Sequence, residues 1–178
     1  MPRLHAFELV PDAAGREAVL GDWHALRDAG LPSQLDHRGA TNTPHVTVLA
    51  APQLTSDARA EELLGPLLPV RARVSGLLLL GGARLTVARA LDVDDAVVAA
   101  VLDLRRGVAD LQHRGWLPHV TLARRVPRAS AASVLDVLGW ADVELVLTEL
   151  RRWDPEQGTV TTVSGSAGSE DATSTDSR

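Results

Sequence analysis

The sequence predicts an α+β fold: two similar lobes of antiparallel sheet, helices on the outside, and a cleft between the lobes. Three observations predict it. Apolar residues alternate with period two in some stretches and with helical period in others, and neighbouring strands are joined by hairpin-length turns, which favours antiparallel pairing. The order strand, helix, strand, helix, strand runs twice through the 178 residues. The tetrapeptide Pro-His-Val-Thr also occurs twice, at 44–47 and 118–121, once in each half.

The elements follow in order. "LHAFELV" (4–10) is a strand closed by Pro11. A helix over roughly 13–29 carries Val19, Trp23 and Leu26 on one face and stops at Gly30. The polar loop "LPSQLDHRGATN" leads into the first motif strand, 44–50. Ser56 caps a short helix over 57–64, bounded by Gly65-Pro66. Strands 70–80 and 83–91 form a hairpin at Gly81-Gly82. The spacing of Val97, Val101, Leu104, Val108 and Leu111 predicts a helix over 94–113, capped by Asp92 or Asp94. The second motif strand, 117–124, comes next. Ser130 caps a helix ending near Leu138, and 143–153 with 158–164 make a last hairpin around "DPEQG". Residues 1–164 therefore read as one bilobal domain of two half-repeats. From 165 to 178 nothing apolar remains to bury, and a disordered tail is expected.

Composition narrows the function. The formal net charge is −5 and Cys is absent. The first argues against a broad nucleic-acid surface, and the second excludes disulfides, thiolate metal sites and a Cys nucleophile. Only one Phe and no Tyr are present, so aliphatic side chains must fill the core. The N-terminal stretch carries Glu8 and Asp12 where a signal peptide would be apolar, and no apolar run reaches the roughly 20 residues of a membrane span. A cytoplasmic protein without membrane contact is expected. No protein partner is called for, and a monomer is the default.

The repeated motif carries the chemistry. On a strand alternate side chains share a face, so His45 and Thr47 point together, as do His119 and Thr121, while Val46 and Val120 point into the lobes. A pseudo-two-fold axis between the lobes would set the two imidazole–hydroxyl pairs around one cleft. One neutral imidazole can take a proton from an attacking water while a charged one gives a proton to the leaving oxygen. A phosphodiester suits this arrangement, with the Thr47 and Thr121 hydroxyls holding its non-bridging oxygens. The scheme requires no metal and no cofactor.

Two His-x-Thr-x motifs at this separation resemble those of the two-histidine (2H) phosphoesterase superfamily. Within it, "PHVTLAR" (118–124) is similar to the second motif of the bacterial 2′-5′ RNA ligase-like and RNA 2′,3′-cyclic phosphodiesterase branch. "PHVTVLAAP" (44–52) departs from the first motif by having Ala50 or Ala51 where many relatives have an aromatic residue. The resemblance implies a metal-independent cyclic phosphodiesterase with catalytic His45 and His119 and phosphate-holding Thr47 and Thr121. It further implies RNA 3′ ends with a 2′,3′-cyclic phosphate, or small cyclic nucleotides, as substrates, with 2′-5′ ligation as a side activity.

Three further residues are candidate substrate contacts: Arg124, Trp116 as a base platform, and His37 in the long loop. Strict alternation puts Arg124 on the face of Val120 and Leu122, so it reaches the cleft only if the strand is ending or bulged there. The Arg-Arg pairs at 105–106, 124–125 and 151–152 are read as solvated. Gathering His45, His119, His37 and Asp36 around zinc is disfavoured, because each motif His has only a Thr beside it. The rival class is a nucleotide- or RNA-binding module that keeps the cleft and has lost turnover.

Overall fold

The computed structural model describes residues 3–165 apart from 40 and 141. Along the chain come β1 (His5–Pro11), α1 (Ala13–Asp28), β2 (Val46–Ala51), α2 (Asp57–Leu64), β3 (Val70–Gly81), β4 (Arg84–Val93), α3 (Asp95–Arg106), β5 (His119–Pro127), α4 (Ala131–Leu138), β6 (Glu144–Asp154) and β7 (Thr159–Gly165). The element order matches the expected one, and every strand pairing is antiparallel. The expected tail lies outside the described residues except for Gly165, which ends β7.

Strand order is β1-β2-β5-β4-β3-β6-β7, and β1 also pairs with β6. The first six strands thus close on themselves, and β7 is added to the outer edge of β6. Exchanging β1 with β4, β2 with β5, and β3 with β6 leaves this set of pairings unchanged. Two pairings map onto themselves and lie on the implied two-fold axis: β3 with β6, and β2 with β5. The β2–β5 contact consists of a single pair, Val46 opposite Val120. The helices obey the same exchange, with α1 packed on α4 and β5, and α3 packed on α2 and β2.

One continuous core joins the two halves through Phe7, Leu9, Trp23, Leu26, Val46, Leu122, Val126 and Leu147. Apart from Phe7 and Trp23 these side chains are aliphatic, and burying one fully contributes about 1.5–3 kcal/mol. Among the described residues no helix is long and apolar enough to cross a membrane.

The expected helix over 94–113 is shorter than its apolar spacing implied. It ends at Arg106, with Gly107 as its C-cap. The buried Arg105 side chain turns inward and donates to the carbonyls of Val48, His113 and Gly115, which holds the following segment as a loop. Asp110 in that loop has φ 54°, which a helix does not accommodate. Val108 and Leu111 still pack on the core, but from the loop. Ser56 caps α2 as expected, accepting from the Arg59 N–H. Asp94 and Ser130 stand at the N-cap positions of α3 and α4, and their side chains make no capping bond.

Candidate active site

Both motif strands place their polar residues on one face. Val46 and Val120 are 2% and 1% exposed and point into the core, so His45, Thr47, His119 and Thr121 point to the opposite side. The antiparallel direction at the Val46–Val120 pair sets His45 beside Thr121 and Thr47 beside His119.

The two imidazoles are held identically. His45 Nδ1 lies 2.8 Å from the Thr43 carbonyl, and His119 Nδ1 lies 2.7 Å from the Leu117 carbonyl, each two residues upstream. A carbonyl can only accept, so each Nδ1 carries the proton and Nε2 is the ring's remaining nitrogen. The backbone behind each motif threonine is also held in matching fashion. The Trp116 indole N–H donates to the Thr47 carbonyl at 2.9 Å, and that of Trp23 donates to the Thr121 carbonyl at 3.1 Å. Trp116 therefore spends its polar edge on β2 and packs against the core, and it does not line the cavity described next.

A cavity of about 750 Å³ opens over the β1–β2–β6 side of this face. Ala6 and Glu8 of β1, Thr47 and Ala50 of β2, and Arg151 and Trp153 of β6 line its floor, and the strand register puts all six on one face. The 32–42 loop forms one wall and contributes His37, Gln34, Asp36 and Asn42. His45 lines the cavity; His119 and Thr121 lie outside it.

Two β-bulges shape the site, one after each motif threonine. In β2, Phe7 opposes Leu49 and Glu8 opposes Thr47, so Val48 is the extra residue. In β5, Val87 opposes Ala123 and Ala88 opposes Thr121, so Leu122 is the extra residue. Each bulge brings the residue three positions after the threonine back to the cavity face. In β2 that residue is Ala50; in β5 it is Arg124. Plain alternation placed Arg124 on the buried face, and the bulge overturns that: Arg124 is exposed and lines the cavity. A second irregularity follows, where Arg125 adopts φ 60° and also reaches the cavity.

The remaining Arg-Arg pairs are not uniformly solvated as expected. Arg105 braces the loop before β5, and its burial pushes its pKa below the usual guanidinium range. Arg151, 7% exposed, donates from Nε to Glu8 Oε2 at 2.8 Å, and its second amino nitrogen lies equally close. Glu8, 6% exposed, turns its other oxygen toward His45, with Oε1 3.3 Å from Nε2. Sequence reasoning missed this chain of three. The available signal was a lone carboxylate, Glu8, within a strand that is otherwise apolar after His5.

The loop wall is built around Asp36. Ser33 and Asp36 form a reciprocal capping box over a 3-10 turn at Gln34–Asp36, and Arg27 Nη2 reaches Asp36 Oδ1 at 3.0 Å. The Ser33 N–H, followed by Arg27, holds the Asp36 carboxyl below its ordinary pKa. Among the described residues one trio of ligand-type side chains converges, His5, Asp154 and Glu156, and neither motif histidine belongs to it.

The family described as the 2'-5' RNA ligase superfamily matches residues 11–159 of the chain. No curated protein sequence matches it. Among solved structures, Usb1 of Kluyveromyces marxianus is similar at 14% identity with a TM-score of 0.52, over 92% of this chain and 98% of that one. A protein described as a phosphoesterase is similar at 15% identity with a TM-score of 0.51, over 91% of this chain and 94% of that one. At such identities the likeness concerns the fold, and it is the α+β two-histidine phosphoesterase fold that the repeated motif implied.

Proposed function

The chain belongs to the 2'-5' RNA ligase superfamily, and within it we propose that this protein is a metal-independent phosphodiesterase opening a 2′,3′-cyclic phosphate at an RNA end or on a small nucleotide. His45 and His119 serve as the acid–base pair. Thr47 and Thr121 hold the non-bridging oxygens, and Arg124 offsets the charge that develops on them. One observation carries the reading: two imidazoles share a face around the Val46–Val120 pair, each with Nδ1 held by a carbonyl two residues upstream, so that Nε2 is the nitrogen each ring has for proton transfer.

The proton balance closes without further groups. Water attacks phosphorus and gives a proton to one Nε2. The P–O bond to the ribose oxygen breaks, and that oxygen takes a proton from the other Nε2. With a ribose hydroxyl in place of water, the same attack on the cyclic phosphate would form a new P–O bond and break the bond to the other ribose oxygen, which is the ligation side activity. His37 and Arg125 stand at the cavity wall, where the rest of the nucleotide would lie.

A binding module without turnover is the second reading. It is favoured by His119 and Thr121 lying outside the cavity that His45 lines. The test is incubation with a short RNA ending in a 2′,3′-cyclic phosphate, in EDTA, with identification of the product end. Opening by the wild type, lost in His45→Ala and in His119→Ala, supports the enzyme. Tight binding with no product from the wild type supports the module.

A further inference from the structure

The two halves of the site are alike in backbone and unlike in charge. At the register position beside Thr47, β1 supplies Glu8; at the matching position beside Thr121, β4 supplies Ala88. The next strand out supplies Arg151 opposite Glu8 and Leu78 opposite Ala88. His45 therefore stands against a buried ion pair, while the positions on the His119 side that match Glu8 and Arg151 hold the aliphatic Ala88 and Leu78. Arg151 occupies Glu8 Oε2, which leaves Oε1 free toward His45 Nε2 at 3.3 Å.

Both nitrogens of His45 thus meet oxygens that can only accept, the Thr43 carbonyl at Nδ1 and the Glu8 carboxylate at Nε2. A bare lone pair on Nε2 would be repelled by that carboxylate, so a proton there is favoured. Among the described residues, His119 has a polar contact at Nδ1 alone, so its Nε2 is free to accept. The other charged or titratable groups around the cavity, Arg124, Arg125, Asp36 and His37, are on β5 and the loop wall.

We propose that Glu8, oriented by Arg151, is a positioning residue that keeps the proton on His45 Nε2, making His45 the general acid and His119 the general base. This rests on the phosphodiesterase reading and adds direction to it. His119 Nε2 takes the proton of the attacking water, the P–O bond to the ribose oxygen breaks, and His45 Nε2 protonates that oxygen. Exchange with solvent then returns one proton to His45 and removes one from His119.

General-acid help matters for an alkoxide leaving group and is dispensable for a nitrophenolate. Uridine 2′,3′-cyclic phosphate and thymidine 3′-(4-nitrophenyl phosphate) are therefore compared in the wild type, His45→Ala, His119→Ala and Glu8→Gln. With the cyclic phosphate, both His variants should lose a hundredfold or more in kcat, in line with the roughly 10²–10⁴ contributed by general acid–base catalysis. Glu8→Gln should lose about tenfold, since it acts through His45. With the nitrophenyl ester, His119→Ala should still lose a hundredfold, while His45→Ala and Glu8→Gln should stay within about threefold of wild type.

Sparing of His119→Ala in place of His45→Ala would reverse the assignment and leave the phosphodiesterase reading intact. Equal losses for Glu8→Gln on both substrates would reduce Glu8 to a structural role and overturn the proposal. Turnover of neither substrate by the wild type would remove the phosphodiesterase reading itself. If the wild type opens the cyclic phosphate alone, imidazole ¹⁵N NMR at neutral pH decides. The proposal requires protons on both nitrogens of His45, on Nδ1 alone in His119, and loss of that difference in Glu8→Gln. Matching spectra for the two rings in the wild type would overturn it.

Discussion

Val46 lies opposite Val120, and this single pair joins the two motif strands on the axis that relates the halves of the molecule. Both side chains are almost wholly buried. The pair sets the separation of the two imidazoles, one residue to either side.

Truncating Val46 or Val120 to Ala should therefore cost catalysis as well as stability. Each change removes buried methyl groups and should lower stability by about 1–2 kcal/mol. Displacement of either imidazole should reduce kcat about tenfold or more, because small misplacements of reacting groups are expensive. Val134→Ala, on α4 and fully buried, serves as the comparison: urea unfolding should show a similar loss, and kcat should be unchanged.

The indole bonds predict the opposite pattern. Trp116→Phe and Trp23→Phe each leave a motif threonine carbonyl without its donor. Stability should fall by roughly 1–3 kcal/mol in each case, read by denaturant unfolding. KM for the cyclic phosphate should change less than twofold in Trp116→Phe. A large rise in KM with stability intact would restore Trp116 as a base platform.

Arg124 reaches the cavity through the bulge at Leu122. Arg124→Ala should lower kcat/KM about tenfold to a hundredfold, in line with roughly 1.5–3 kcal/mol for a hydrogen bond to a charged group. Thermal stability should stay near that of wild type, since the side chain is exposed.

The loop wall should respond to acid through Asp36. Its carboxyl is depressed in the folded state by the Ser33 N–H and Arg27, so the fold favours the ionised form. The stability it adds is fully present above the unfolded carboxyl pKa of 3.8 and is lost as pH falls through the lower folded value. Asp36→Asn should thus lower Tm at neutral pH, and the difference from wild type should vanish in strong acid.

Much of the fold was legible because its signals were local. Apolar period, Gly and Pro breaks, and Ser56 as a cap located β1 through β7 and all four helices. The motif residues were legible too, since parity on a strand puts His and Thr on one face. What escaped depended on tertiary context. The apolar spacing of Val108 and Leu111 is satisfied from a loop, which Arg105 holds by tying its carbonyls at His113 and Gly115 to that of Val48, 57 positions from Arg105. The bulges that turn Arg124 toward the cavity arise from strand register, which alternation in one strand does not reveal. Glu8 and Arg151 are 143 positions apart and meet only once β1 and β6 pair.

The central claim is that His45 and His119 act as one unit on one phosphodiester. The most direct measurement is kcat on a 2′,3′-cyclic phosphate for His45→Ala, His119→Ala and the double variant. Groups that act as a unit are strongly non-additive, so the double variant should be no slower than the slower single one, to within about threefold. Losses that multiply in the double variant, or a single variant with wild-type kcat, would contradict it.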